Sequence, residues 1–258
     1  MQYLKVTAEE GVAVVTIDRP PVNALNRQVM AELDQALEAV KTDAAVKVVI
    51  LTGGGSFAFV AGADVKEIAS LSSGREAAEV AARGQAVMTK IQRLGKPVIA
   101  AINGHALGGG CEISMACHIR ILKDTARMGQ TESNLGIIPG YGGTQRLPRL
   151  IPVADALRLL ILGTQIPGAD ALQLGLVNKL SKDGESLNDA KTLARQLGKR
   201  APIATRLILE VVDEGLNTDI DHGLAAEIRA FVQVLKTEDA AEGIQAFFQK
   251  RPAEFKGK

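Results

Sequence analysis

The apolar positions along the chain follow two rhythms, and the rhythms take turns. "YLKVTA" and "VAVVTI" (3–8 and 12–17) flank Glu9-Glu10-Gly11, the pattern of a hairpin. From residue 26, "NRQVMAELDQALEAVKT" places Val29, Leu33, Leu37 and Val40 on one side of a helix, with Asn26 at the capping position. "VKVVILTG" (46–53) is a nearly unbroken apolar run closed by glycine, as expected of a buried strand. "ADVKEIASL" and "EAAEVAARGQAVMTKIQRL" return to helical spacing. "PVIAAINGHA" (97–106) reads as one further buried strand, "CEISMAC" (111–117) as a helix, "HIRILK" (118–123) as a strand, and "ARMGQT" (126–131) as a short strand and turn. Repeated strand-then-helix units specify an α/β fold around a buried sheet.

After "LVNKLS" (176–181) the strand rhythm stops, and from about residue 186 the chain reads as successive helices. Two parts are expected: an α/β core over 1–185 and a helical region for packing or assembly over 186–258. Leu207, Leu209, Val211, Ile228, Phe231 and Val232 are more apolar surface than these helices of a single chain are expected to cover, which points to self-association. No internal repeat or low-complexity segment interrupts the pattern.

Composition narrows the function by exclusion. Hydrophobic residues make up 47% and charged residues 23%, ordinary globular values that exclude disorder. The net charge of +1 and the lack of a basic stripe argue against nucleic acid as a partner. Aromatic residues are only 3%, with no Trp, which removes base-stacking platforms. No apolar run is long enough to span a bilayer, and the first residues lack a signal-peptide pattern. Two cysteines make no disulfide framework, so a reducing cytoplasm is expected.

The chemistry concentrates in glycine-rich stretches: "TGGGS" (52–56), "AGAD" (61–64), "GHALGGG" (104–110) and "GIIPGYGG" (136–143). None carries the third glycine of a dinucleotide fingerprint, and Gly110 stands where a P-loop needs Lys. "GGSFA" misses the nucleophile elbow, with Ala58 in place of Gly. His105, Cys111, Cys117 and His118 do not make a metal site: on a helix the two cysteines point about 120° apart, and the spacing fits no zinc pattern. They read as buried structural cysteines, His118 as a satisfied buried histidine, and His222 as a surface residue. What survives is a strand–glycine–helix arrangement at Gly53 and again at Asn103. Strand carboxyl ends are where α/β sheets bind ligands, and a helix N-terminus has unpaired N–H groups and a positive dipole. Ala63 and Gly109 are then placed to give one N–H each to a single anionic oxygen. The competing reading is that these glycines only let strand and helix pack closely. Glu112 lies in the first turn of that helix, and Glu132 stands beside apolar "NLGIIPG". Singly each is a surface residue or cap. Together with an oxyanion hole they fit proton transfer next to a carbonyl.

Taken in order, "RPPVNALN", "FVAGADVKEI", "KPVIAAINGHALGGGCEI", "GQTESNLGIIPGYGGTQRL", "ALQLGLVNKL" and "FFQKRPAEFKGK" resemble the crotonase, or enoyl-CoA hydratase/isomerase, superfamily over essentially the full length. The resemblance implies a repeated ββα superhelical spiral with a C-terminal helical trimerisation region, assembling as a trimer or dimer of trimers. It implies that Ala63 and Gly109 hold the thioester oxygen of an acyl-CoA. Glu112 and Glu132 would hold a water between them, with the backbone of Gly140 helping. Asn23, Ala24, Leu25 and Lys66 match segments lining the nucleotide groove, and Phe247 and Lys250 match positions reaching a neighbour's groove. The implied reaction is reversible syn-hydration of a trans-2-enoyl-CoA to a 3-hydroxyacyl-CoA, an activity of fatty-acid β-oxidation. It needs no metal and no redox cofactor, because coenzyme A is part of the substrate. Carrying both glutamates resembles the hydratase branch, whereas isomerase members usually keep only the one matching Glu132. An isomerase, a ring-acting relative and a silent CoA- or RNA-binding member are the alternatives. Thr131, Met128 and His118 depart from the Pro, Phe and Asp common in hydratases, which leaves the pocket shape open.

Overall fold

The computed structural model describes residues 1–258. Its hairpin is as expected: β1 (Leu4–Glu9) pairs antiparallel with β2 (Val12–Ile17). The helix α1 (Arg27–Thr42) starts where the Asn26 side chain accepts the Val29 N–H at 2.8 Å. Three strand–strand–helix turns follow. The first is β3 (Val48–Gly53), β4 (Ala58–Ala61), then α2 (Val65–Ala69) and α3 (Gly74–Gln92). The second is β5 (Val98–Ile102), β6 (His105–Leu107) and α4 (Gly109–Ala116). The third is β7 (Ile119–Lys123), β8 (Arg127–Gly129), a 3-10 turn (Glu132–Leu135), α5 (Gly143–Leu150) and α6 (Val153–Leu162). After β9 (Ile166–Pro167), α7 (Gly168–Gln173) and β10 (Lys179–Ser181) the rest is helical: α8 (Ser186–Leu197), α9 (Pro202–Leu216), α10 (Ile220–Val234) and α11 (Glu238–Gln249).

The first strand of each turn enters a six-stranded sheet of order β1-β2-β3-β5-β7-β10, parallel from β2 onward. The second strand enters a separate four-stranded sheet of order β4-β6-β8-β9. This is the repeated ββα spiral. It corrects the expectation of a single strand over 97–106: the run breaks at Asn103-Gly104 and its halves belong to different sheets. Asn103 fixes the break by accepting the Gly53 N–H at 3.1 Å and donating to the carbonyls of Gly53 and Gly55 at 2.8 and 2.7 Å. β4 had no counterpart in the sequence reading, because four residues after a glycine run carry too little periodicity to register.

Alternation along the strands sorts the apolar side chains into two buried layers. Ala13, Val15, Val49, Leu51, Val98 and Ala100 face α1 and α3, where Val29, Leu33, Leu37, Met88 and Ile91 meet them. Val12, Val14, Val48, Ile50, Ile99 and Ala101 face the other way, onto Ala190 and Ala194 of α8. Burial on both faces explains why these strands read as continuous apolar runs. By its packing α8 belongs with the sheet, so the helices that leave the core begin at α9, one helix beyond the expected boundary at 186. On α9 and α10, Ile208, Val212, Leu216, Leu224, Ile228, Phe231 and Val232 are exposed. No helix is long and apolar enough to cross a membrane.

One buried charge ties the amino-terminal strand to this frame. Glu32 on α1, only 3% exposed, accepts the N–H groups of Gln2, Tyr3 and Leu4 at 2.9, 2.8 and 3.1 Å. Burial alone would raise its pKa, but the Gln28 amide and those three N–H groups outweigh it and bring it to about 2. Its stabilisation is therefore full above the ordinary carboxylate value and fades as pH falls towards 2. Glu32→Ala is expected to lower stability by roughly 2 kcal/mol or more at neutral pH, since it strands several donors. Urea melts at pH 7 and pH 3 check this, with a clearly smaller difference expected at pH 3.

Candidate active site

Three glycines let two backbones meet. A Cβ on Gly110 would collide with the Val60 carbonyl of β4, one on Gly104 with the backbone of Phe57 and Ala58 (2.6 Å to Ala58 N), and one on Gly53 with that of Ala58 and Phe59 (2.8 Å to Phe59 Cα). The N-terminus of α4 is thereby pressed against the segment that ends β4. Leu25, 1% exposed, holds that segment from the other side: its N–H donates to Gly62 O at 2.9 Å and its carbonyl accepts the Asp64 N–H at 2.8 Å. These bonds use the peptides flanking Ala63 and leave its own N–H facing elsewhere. Gly109 opens α4, where the N–H has no intrahelical acceptor. A Cβ on Gly109 would stand 3.4 Å from Ala63 N, so the two expected N–H donors border the same small space.

Glu112 sits one turn into α4, 2% exposed. Its Oε1 accepts two backbone N–H groups, from Tyr141 and Gly143, each at 2.8 Å. These come from the start of α5, where Gly142 in the left-handed region (φ 108°) turns the chain into the helix. The carboxylate is thus seated on a helix N-terminus, as electrostatics favours. Burial nevertheless dominates and raises the Glu112 carboxyl to about 7; the Glu132 charge adds to it, and the Gly143 and Tyr141 N–H groups and the Arg146 guanidinium pull it back.

Glu132 starts the 3-10 turn after β8. Burial raises its pKa as well. Its carboxylate comes up to Gly108, the residue before α4, where a Cβ would stand 2.9 Å from Oε1. Gly108 also has φ +50°, so both space and backbone conformation require glycine. Gln130, fully buried on the same segment, presents its amide nitrogen to both Glu132 oxygens at 3.2 and 3.1 Å. Two carboxyls of raised pKa are therefore held at the start of α4, near the segment of Ala63 and Gly109. The far end of α4 is fixed by Arg120, a buried cation that donates to the carbonyls of Cys117, Ser114 and Leu176 at 2.6, 3.3 and 2.8 Å.

The other singled-out residues divide. Asn23 is not free to line a groove: its side chain is 2% exposed and spent on the carbonyls of Gly54, Ala58 and Phe59 and the Arg19 N–H, so it shapes the turn instead. Ala24 accepts from Arg19 through its carbonyl, and Leu25 orients Ala63. Lys66 is exposed on α2. Gly140 gives its carbonyl to Gln85 at 3.0 Å, and its Cα faces open space next to the Glu112 donors. Phe247 and Lys250, at the end of α11, are exposed and not brought to this site by the chain's own packing. Cys111 and Cys117 are buried free thiols. His118 is half-buried where a buried histidine was expected, and it is satisfied: it accepts the Val98 N–H at 2.9 Å, with Nε2 on the Gln92 carbonyl at 3.1 Å. His222 is exposed beside Asp219. Sequence reasoning missed Gln130, Tyr141, Gly143 and Arg146. A signal for Tyr141 and Gly143 was present, since "GYGG" before α5 repeats the glycine-to-helix pattern of "GGG" before α4; Gln130 and Arg146 carry none.

Known proteins agree with this geometry. The family model described as enoyl-CoA hydratase/isomerase matches residues 7–258. A probable enoyl-CoA hydratase of Bacillus subtilis is 44% identical over 258 residues, all of both chains. A short-chain-enoyl-CoA hydratase of Clostridium acetobutylicum is 44% identical over 95% of this chain and 94% of its own. The crystal structure of an enoyl-CoA hydratase from Bacillus anthracis superposes with a TM-score of 0.95 at 39% identity, covering 100% of each chain.

The raised pKa of Glu112 carries a stability consequence. An unfolded glutamate ionises near its ordinary value, whereas this one resists until about 7, so native stability falls as pH rises through that window. Glu112→Gln keeps an acceptor oxygen for Tyr141 and Gly143 and removes the buried charge. It is expected to raise stability on the order of 1–3 kcal/mol at pH 8 and to change little at pH 4. Thermal melts at the two pH values check this.

Proposed function

The chain belongs to the enoyl-CoA hydratase/isomerase family, and on that premise we propose that it is an enoyl-CoA hydratase, a hydro-lyase interconverting trans-2-enoyl-CoA and 3-hydroxyacyl-CoA. The observation that carries this reading is the pairing of Glu112 and Glu132, both with raised pKa, beside the N–H groups of Ala63 and Gly109. An isomerase moves one proton and needs one base at the reacting carbons; hydration must place a hydroxyl and a proton together, and two carboxyls suit that.

In the hydration direction the thioester oxygen accepts the two N–H groups, which lowers the energy of the enolate that forms. One water lies between the carboxyls. Ionised Glu112 accepts a proton as the water oxygen bonds to C3, and protonated Glu132 delivers its proton to C2. The new O–C3 and H–C2 bonds form on the same face, because the water is held between the two carboxyls that exchange its protons. A base titrating near neutral pH is close to optimal for such transfer. The thioester takes up the developing charge, so these steps route through no metal or redox cofactor. The coenzyme A moiety is read as lying over Lys66 and the Asn23–Leu25 turn. The exposed apolar face of α9 and α10 supports assembly as trimers or a dimer of trimers, in which Phe247 and Lys250 reach a neighbouring groove. A cytoplasmic role in β-oxidation chemistry fits this reading.

Glu112→Gln and Glu132→Gln are each expected to lose hydration of crotonyl-CoA by about 10²–10⁴-fold, followed by loss of the enoyl-thioester absorbance. The double variant should be little worse than the worse single one, since both groups act on one water. Exchange of the C2 proton of a saturated acyl-CoA in D₂O should vanish in Glu132→Gln and persist in part in Glu112→Gln; the reverse would exchange their roles. Unimpaired hydration in either single variant rejects the two-carboxylate mechanism.

Gly109→Pro separates donor from scaffold. Proline is tolerated at the first helical position; it removes the N–H and adds a Cβ 3.2 Å from Leu25 Cδ1, so Gly109→Ala, which adds the same Cβ and keeps the N–H, is its control. The proline variant is expected to lower kcat by roughly 10²–10³-fold in a protein whose circular dichroism is unchanged. Near-native turnover would reduce Gly109 to a packing role.

A further inference from the structure

Tyr141 does more than supply an N–H to Glu112. Its ring lies flat against the backbone of α3 at Gly84, where any Cβ would overlap ring atoms Cδ1 and Cε1. Glycine in the middle of a 19-residue helix is unfavourable by roughly 1 kcal/mol against alanine, and here it makes room for the ring. The flanking backbone is held too: Gln85 Nε2 donates to Gly140 O at 3.0 Å, and Arg146 Nη1 to Tyr141 O at 3.1 Å. Tyr141 is thus fixed on both sides of its Cα and against a helix, a rigid wall and not a swinging side chain. Burial raises the Tyr141 hydroxyl to about 12, and the charges of Glu112 and Glu67 add to it. The Tyr141 backbone places the residue at the reacting centre, because its N–H donates to the Glu112 carboxylate at 2.8 Å.

Behind the ring lies a cavity of about 320 Å³ between α1 and α3. Met30, Ala31, Val80 and Val87 give it apolar walls, Arg27, Asp34 and Arg83 stand with them, and Tyr141 is the one member of the catalytic group that lines it. Space for an alkyl tail therefore exists against the ring of the residue whose N–H holds Glu112.

We propose that the Tyr141 ring, seated on Gly84, is the specificity-determining wall of the acyl site and restricts this chain to short enoyl-CoA substrates of about four carbons. The inference rests on the hydratase reading and adds to it the substrate class and the residue that sets it. The relevant discrimination is steric: a tail that cannot pass the ring forfeits its apolar contacts and strains the site, worth roughly tenfold or more in kcat/KM.

The test is a kinetic panel of trans-2-enoyl-CoA thioesters of four, six, eight and ten carbons. The native enzyme is expected to lose at least about tenfold in kcat/KM between four and ten carbons. Tyr141→Ala keeps the backbone N–H for Glu112, opens the cavity, and is expected to raise the ten-to-four-carbon ratio at least about tenfold. Tyr141→Phe keeps the ring and should keep the native ratio. Should the alanine variant not fold, Tyr141→Leu reads the same change with less lost volume. Native enzyme that accepts ten carbons as readily as four overturns the proposal, and so does a folded ring-less variant with an unchanged ratio or a Phe variant that loses discrimination. Turnover of the four-carbon substrate by the native enzyme tests the hydratase reading separately.

Discussion

The site depends on a contact between two main chains with no side chain between them. Residues 57–62 touch residues 104–110 so closely that Gly104 and Gly110 admit no Cβ, and Gly53 meets the same segment from β3. A sheet and a helix joined through ordinary side chains stand about 10 Å apart. Here the helix starts against the strand, and only that brings the N–H of Gly109 beside the N–H of Ala63. Everything chemical is hung on this junction. Glu112 is one turn along the same helix, and Glu132 abuts Gly108 immediately before it. Arg120 and Leu25 then keep the helix end and the Ala63 turn from relaxing away.

The electrostatics follow from that compactness. Glu112 is excluded from water and placed near a second carboxylate, two conditions that oppose its ionisation, and it is compensated by the start of α5 and by Arg146. The balance falls near neutrality. Glu32 is as little exposed but lies less deep; it also receives backbone N–H groups and is driven to about 2, because the Gln28 amide adds to them and no like charge opposes. The same residue type serves as a fastener in one place and as a proton carrier in the other. The difference lies first in how deeply the carboxyl is buried, then in how many donors close around it and in one neighbouring charge.

Much of this was legible beforehand for identifiable reasons. Strands covered by helices on both faces announce themselves as apolar runs, and α1 and α3 carry full amphipathic stripes with capping residues. The glutamates and N–H donors could be located because chemistry at an oxyanion hole demands glycine in a strand-to-helix turn. The second sheet was only partly legible: β8 showed as a short strand, but β4 was missed and β6 merged with β5, since these pieces are three or four residues long and are set by Asn23 and Asn103. The role of the Asn23 side chain was not legible, because one turned inward onto carbonyls looks, in sequence, like one turned out to solvent. Gln130 and Arg146 act only through Glu132 and Glu112, and no local pattern marks such partners.

The fit of Gly84 beneath the Tyr141 ring also constrains how the sequence can drift. Fifty-seven positions apart in the chain, the two residues share one volume. Any side chain at 84 is barred while the ring is present, whereas a smaller residue at 141 frees 84 to take up the helix-favouring alanine. Divergence therefore has a permitted order, with 141 changing first and 84 following. Once alanine is established at 84 the way back is closed, because the ring could no longer return to its seat. The pair acts as a ratchet on the descent of this pocket, and related chains should carry the two residues as linked states instead of independent choices.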